Sequence, residues 1–258
     1  MVEQSALLTV SGKGLRERSR AVLGEFSVSI GLGCTAVVGP DAQCGRALLR
    51  VLAGVAGAER GRVVLDGRPV SARQVRQAVS SPFRPSRRLG TASPALEPWA
   101  HLPPDDSAGA RPWRRVLQAA WRRRCRLVLM NHPTEGHDPE QGAAFWADLA
   151  LLLRSDAGPA AAVVTTTRLE EVERHCEAVI VLAGGRVAFQ GSVEDLRALA
   201  TDPAYRLRHE VPEGFIAVGD SGALAVHTDA APPVQGDAED RQATLLDGYA
   251  WAVAAERP

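Results

Sequence analysis

Residues 33–54 read GCTAVVGPDAQCGRALLRVLAG, and their order decides the architecture. Cys34 to Val38 is a continuous apolar run that stops at Gly39-Pro40, the pattern of a strand buried on both faces. Residues 45–54 then repeat leucine at helical spacing and end on a glycine. Strand, tight loop and helix in this order form the setting in which backbone N–H groups can cradle a phosphate.

Upstream, residues 6–10 alternate loosely and residues 25–30 (EFSVSI) alternate better, which predicts two half-buried strands. Downstream, 61–70 (GRVVLDGRPV) predicts a hairpin turning at Asp66-Gly67. Residues 80–112 are rich in proline, serine and alanine and read as loop. Trp113 to Arg123 fits a basic helix, Leu127 to Met130 a short buried strand, and 140–154 an amphipathic helix. Further strands are expected at 163–167, 178–182 and 186–190, with an acidic helix over 169–177 and a short helix over 193–200. Alternating strands and helices imply an α/β domain with a mostly parallel sheet, right-handed crossovers and an antiparallel β start. The texture changes near residue 201. Strand-like pieces (205–209, 214–218, 223–228), a Pro232-Pro233 loop and a final helix suggest a small α+β appendage over 201–258 after a main domain over 1–200. In the final helix, Thr244 and Asp247 have capping-box spacing, and Leu246, Tyr249 and Val253 share a face.

The chain has 258 residues, with 30 Lys and Arg balanced by 30 Asp and Glu, so no global basic field points to nucleic acid and none is expected as a partner. Lys13 is the only lysine, which removes any mechanism needing a lysine after the first strand. The four cysteines (Cys34, Cys44, Cys125, Cys176) lack zinc-site spacing, the start lacks a signal-peptide pattern, and no stretch approaches the ~20 apolar residues of a membrane span. A reducing cytoplasm is the expected compartment.

Four segments in order resemble the ABC-transporter ATP-binding family, a P-loop NTPase-like fold, and together they cover nearly all of residues 6–200. They are 33–54, 61–70, LVLMNHPTEGHDP (127–139) and the run from Val163 to Leu196. In the appendage, ALAVHT followed by ATLLDGYAWAV resembles the ATPases of ABC-2 type drug and antibiotic exporters. The resemblance implies ATP and Mg2+ as ligands, a permease or a second ABC ATPase subunit as partner in a homo- or heterodimer, and a peripheral place on the inner face of the cell membrane.

Aligned without gaps, the phosphate loop becomes Gly39, Pro40, Asp41, Ala42, Gln43, Cys44, Gly45, Arg46 and Ala47. Ala42 and Cys44 then stand at glycine positions, Gly45 at the lysine and Arg46 at the magnesium-binding hydroxyl. A one-residue shift lets Arg46 stand at the lysine, but Ala47 then cannot bind magnesium. Asn131 falls on the metal-binding aspartate and His132 on the catalytic glutamate, and a neutral amide is a poorer magnesium ligand than a carboxylate. Thr167 replaces the switch histidine, Arg84 the phosphate-sensing glutamine, and no aromatic stands at 16–18, where the family stacks adenine. Ser107, Ala108, Gly109 and Ala110 occupy the signature loop, and Asp138, an interface position, is the one polar match. The helical subdomain, about 84–112, is short and irregular. With the catalytic positions substituted, the resemblance implies a pseudo-ATPase with weak ATP affinity, no catalytic residue assigned and doubtful Mg2+. It would be a non-hydrolytic partner of a permease or of a competent ATPase in membrane export. The alternatives are an ATP-binding ATPase active only in a mixed dimer, with Arg46 and His132 as substitutes, and a soluble scaffold or regulator reusing the fold.

Ordinary structural roles compete with other candidate sites. The basic run 111–126 fits a solvated helix face with buried Trp113 and Trp121 better than a lipid or phosphate anchor. His132, His137 and Asp138 lack a fourth metal ligand. His175 and Cys176 are adjacent on a helix and point about 100° apart, which argues against a nucleophile and base. Glu170, Glu171 and Glu173 are expected on an exposed face.

Overall fold

A computed structural model describes residues 6–17, 20–82, 112–199, 204–207, 215–218, 224–227, 238–241 and 244–254. Arg84 and Ser107 to Ala110 lie outside these residues.

The chain opens with antiparallel strands. Strand β1 (Leu8–Gly12) pairs with β4 (Phe26–Ile30) on one side and β6 (Arg62–Leu65) on the other, and β7 (Arg68–Pro69) completes the sheet. Both β1 and β4 bury alternate residues, as their sequence pattern requires. The turn from β6 to β7 holds Asp66 and Gly67 at φ of 49° and 74°, the left-handed pair that a two-residue hairpin turn needs. Between β1 and β4 a small hairpin, β2 (Leu15–Glu17) and β3 (Arg20–Leu23), folds over the domain. Its charged residues hide the alternation, so no periodicity marks it in the sequence.

The central sheet has β5 (Gly33–Val38) in its middle, flanked by β10 (Ala161–Thr165) and β11 (Ala178–Ala183). Beyond β10 lie β9 (Leu127–Asn131) and β8 (Val79–Ser80); beyond β11 lies β12 (Arg186–Ser192). All neighbours are parallel except β11 and β12, which are antiparallel. This is the α/β fold expected from the sequence, with its antiparallel start. The apolar run of β5 is explained by cover on both faces. Val37 joins a core with α1 (Ala42–Leu52) and the antiparallel sheet, while Cys34, Ala36 and Val38 join another with α3 (Pro112–Arg122) and α4 (Pro139–Leu153).

Helix α2 (Ala72–Ala78) precedes β8 and is also silent in the sequence, because Val75 is its one buried residue. A capping box between Ser71 and Gln74 fixes its start. Trp113 is buried, and its indole N–H and the Arg114 guanidinium both reach Asp148, at 3.4 and 3.0 Å.

Helices α5 (Leu169–His175) and α6 (Val193–Ala198) follow the expected order. After residue 201 comes an antiparallel sheet of β13 (Ala204–Leu207), β14 (Phe215–Val218), β15 (Leu224–His227) and β16 (Ala238–Arg241). Strand β16 falls where only a loop is expected, because its sequence AEDR carries no apolar signal. Helix α7 (Leu245–Ala254) packs back on the main domain, with Leu245 and Ala252 in the same core as β5 and α4. Half of the expected capping box forms: Asp247 accepts from both the N–H and the hydroxyl of Thr244, while its own N–H goes to the Thr244 carbonyl and not to the hydroxyl. Leu245, Gly248 and Ala252 make up its buried face, with Tyr249 and Val253 at the margin and Leu246 half-exposed. Gly248 sits hard against the Leu196 carbonyl, so the helix crosses α6 where only a hydrogen side chain fits.

Gly39 has a comparable constraint, because an added Cβ would strike the Leu182 carbonyl of β11. Gly39→Ala should therefore force a backbone shift and lower stability by about 1–3 kcal/mol, as overpacking does. Urea unfolding followed by circular dichroism measures this, and an unchanged midpoint would contradict the close approach.

Candidate functional site

In a parallel sheet, ligands gather at the carboxyl edge, which here is where β5 meets α1. Only Gly39, Pro40 and Asp41 connect them, because α1 already begins at Ala42. Ala42, Gln43 and Cys44, which the sequence places in the loop, form its first turn. The first-turn N–H groups of a helix lack intrahelical partners and are natural anion ligands. Here the N-cap Asp41 supplies the anion itself. Its carboxylate accepts from the Gln43 N–H at 2.8 Å, and its carbonyl accepts from the Cys44 N–H at 3.1 Å.

The cavity beside this turn measures about 10 Å³ and is lined by Gly39, Asp41, Ala42, Gly45, His132, Thr165 and Thr166 among others. That is at most the room one water needs, and far less than a phosphate. Gly45 explains part of the closure. It carries no side chain, and a Cβ added there would lie 3.4 Å from Thr165 Cγ2, so Thr165 fills the space. Cys44 is buried and aims its thiol away from the cavity, at the Val22 carbonyl 3.3 Å off and at Asp41 Oδ2 3.4 Å off. Burial, and then the Asp41 carboxylate, push the Cys44 thiol up to about 11, so it stays protonated. Ala47 is buried in the core.

The opposite wall comes from β9, β10 and the turns after them. Asn131 is half-buried, and its side-chain oxygen lies 3.4 Å from the Thr165 hydroxyl. His132 holds a left-handed backbone at φ 44° and donates its N–H to the carbonyl and the hydroxyl of Thr165, at 3.2 and 2.9 Å. A non-glycine residue keeps that conformation only when its surroundings enforce it. Its ring nitrogen Nδ1 stands 4.0 Å from Glu135. Thr167 is exposed and outside the cavity lining, whereas its neighbours Thr165 and Thr166 are buried and form part of it. Asp138 caps α4, accepting from the Gln141 N–H at 2.7 Å, while His137 meets the Gln141 side chain at 2.7 Å and the edge of Trp113.

Glu171 departs from the exposed face expected of it. Its side chain is 13% exposed, and its Oε2 accepts from Thr166 Oγ1 at 2.8 Å and Thr134 Oγ1 at 3.1 Å. One carboxylate thus ties the turn after β9 to the turn after β10. Arg46 is exposed on α1 and faces a separate cleft with Arg16, Arg20 and Arg50. No sequence motif marks that grouping, since its members come from three elements.

No family model matches the chain. Solved structures with the same fold include an ATP-binding cassette of an ABC transporter with ADP, at TM-score 0.59 and 14% identity, covering 77% of this chain and 96% of that one. A nucleotide-free ATP-binding cassette gives TM-score 0.59 at 15% identity, with the same coverage. This is the ABC ATP-binding fold. Homologues by sequence are Nod factor export ATP-binding proteins I. The one from Neorhizobium galegae is 26% identical over 207 residues, 67% of this chain and 58% of that protein. The one from Rhizobium sp. (strain N33) is 25% identical over 205 residues, 67% of this chain and 66% of that protein. The chain thus spans just under two thirds of the length of these relatives. Within this fold, the closed cavity lies at the turn from β5 to α1, and the Glu171 tie joins the turn after β9 to the turn after β10.

The tie is testable by a double-mutant cycle. Thr166→Val and Glu171→Ala should each lower stability by about 1–3 kcal/mol, since the first leaves the Arg168 N–H without its acceptor and the second leaves the Thr134 and Thr166 hydroxyls without theirs. Combined, they should depart from additivity by about 0.5–3 kcal/mol. Strict additivity in urea unfolding would show that the two groups do not act together.

Proposed function

We propose that this chain is an ATP-binding-like subunit of an ABC export system that does not hydrolyse ATP itself and acts through its contacts with a permease or a competent ATPase subunit. The observation carrying this reading is the cavity of about 10 Å³ at the phosphate loop, where α1 begins at once and is capped by its own Asp41. Phosphoryl transfer relies on positioning and charge stabilisation around the phosphates, and a loop without room for them can supply neither.

The residues present also do not fit a magnesium ion. Among the described residues Asp41 is the only carboxylate lining the cavity, and one of its oxygens is taken by the Gln43 N–H. Hard cations want several oxygen ligands, and the neighbouring Asn131 offers only an amide. His132, at the position of the family's general base, therefore has neither a held phosphate nor a metal-bound water within a built site to act on.

The similarity to Nod factor export ATP-binding proteins supports an export setting and a permease partner. Among the described residues no helix is long and apolar enough to cross a membrane, which suits a peripheral subunit on the cytoplasmic face that depends on a partner to reach the bilayer. A subunit of this kind keeps the fold for its surfaces.

The decisive assay is phosphate release from Mg-ATP by the purified protein, compared with its His132→Ala variant. Both should match the buffer blank at every protein concentration. Magnesium-dependent turnover that the His132→Ala variant loses would overturn the proposal. Recovery of the protein in the membrane fraction should require co-expression with a permease, and recovery without any would count equally against it.

A further inference from the structure

The fold brings two of the chain's four cysteines together, although 142 residues separate them. Cys34 lies at the start of the central strand β5, and Cys176 ends α5 just before β11. Their sulfurs are 3.4 Å apart, within a thiol hydrogen bond. The sheet sets this spacing through Glu177, the residue after Cys176. The Glu177 N–H donates to the Cys34 carbonyl at 3.0 Å, and the Cys34 N–H donates to the Glu177 carboxylate at 2.6 Å. Cys176 donates its own N–H to the Val172 carbonyl at 3.0 Å, so the end of the helix is held as well. A cavity of about 420 Å³ reaches the pair, with Cys34, Cys176 and the stacked rings of Trp146 and His175 in its lining. Cys176 is 9% exposed and Cys34 2%, so an agent entering there meets Cys176 first.

We infer that Cys34 and Cys176 are a site of reversible oxidative modification, forming a disulfide when the chain meets hydrogen peroxide. The Cys176 thiolate attacks one peroxide oxygen. An S–O bond forms, the O–O bond breaks, and the second oxygen leaves as hydroxide that takes up the proton released by the thiol. Cys176 is then a sulfenic acid, which condenses with a neighbouring thiol. The Cys34 sulfur attacks the Cys176 sulfur, the S–S bond forms, the S–O bond breaks, and a second water leaves with the Cys34 proton. Two thiols and one peroxide thus give one disulfide and two waters, the sulfurs losing the two electrons that the peroxide gains. From 3.4 Å the sulfurs close by about 1.4 Å to reach a bond of about 2.05 Å, a movement of side chains while Glu177 keeps the two backbones in place. The order of events also follows from the surroundings. The hydrogen bond to Cys176, and burial after it, push the Cys34 thiol up, so Cys34 stays protonated while Cys176 reacts. In a reducing compartment such a disulfide is transient and reports the oxidant. Once closed, it fastens α5 at both ends, through Glu171 near its start and Cys176 at its finish. Cys44 packs in the opposite core with its thiol on the Val22 carbonyl, away from the pair.

The test treats the whole chain with hydrogen peroxide, unfolds it in an alkylating agent and counts the remaining thiols, with the cross-linked peptides mapped by mass spectrometry. The count should fall from four to two, and the linked peptides should contain Cys34 and Cys176 at a mass two hydrogens below their sum. Dithiothreitol added before alkylation should restore all four. Cys176→Ala should keep its three thiols, whereas Cys34→Ala should lose only one, with Cys176 trapped as a sulfenic acid that dimedone labels. Cys44→Ala should form the same cross-link as the parent. The mapping is made on the parent chain, so it decides the matter even if a core variant folds poorly. Four thiols surviving peroxide, a cross-link that joins another pair or two chains, or Cys176 oxidised to the sulfinic acid beside a free Cys34 would each overturn the inference. None of these readouts involves nucleotide, so the result stands apart from the phosphate-release assay.

Discussion

Helix α1 begins immediately after the central strand, and its exposed amides must find a partner. In a phosphate-binding protein that partner arrives from outside. Here Asp41 provides it from within the chain, as one of the best N-cap residues and with its charge at the favourable end of the helix dipole. The consequence is geometric. With the helix capped at residue 41, only three residues connect it to β5, and Gly39 among them is pressed against the Leu182 carbonyl. No slack is left for a wide loop, so the closed cavity follows from where the helix starts.

The opposing wall is shaped to match. Thr165 fills the space that Gly45 vacates, and its hydroxyl and carbonyl hold the His132 N–H. Glu171, Thr166 and Thr134 then fasten the two turns behind it. These are mostly neutral groups satisfied by one another, with a single carboxylate that accepts from two hydroxyls on one oxygen and meets the Arg168 guanidinium on the other. Such a network rigidifies a site without presenting charge to a ligand, because its hydrogen-bonding capacity is spent internally.

The elements legible in the sequence are those whose packing leaves a periodic mark. Strand β5 is apolar throughout because both faces are covered, and β1 and β4 alternate because only one is. The β2–β3 hairpin, α2 and β16 are short and charged, so nothing in their composition separates them from loop. At the site, the residues between β5 and α1 and their departures from the family's pattern are matters of sequence resemblance. The packing around them is not: that Thr165 closes the cavity, or that Glu171 turns inward from an acidic run, depends on contacts between residues far apart in the chain. Helical spacing alone groups Glu171 with Glu170 and Glu173, because neighbours in a short helix share a composition even when one turns inward.

The two sides of α1 have opposite electrostatic character, and that follows from its sequence once the register is known. Asp41 puts a fixed negative charge at the helix end, where an incoming phosphate would have to compete with it for the same amide. Arg46 and Arg50 carry the helix's positive charge along its flank instead, with neutral Gln43 beside them, toward Arg16 and Arg20 on the hairpin. Helix α1 thus carries its negative charge at the cap and its positive charge on the flank, and the Gln43 amide that a phosphate would use is already satisfied by the chain's own carboxylate.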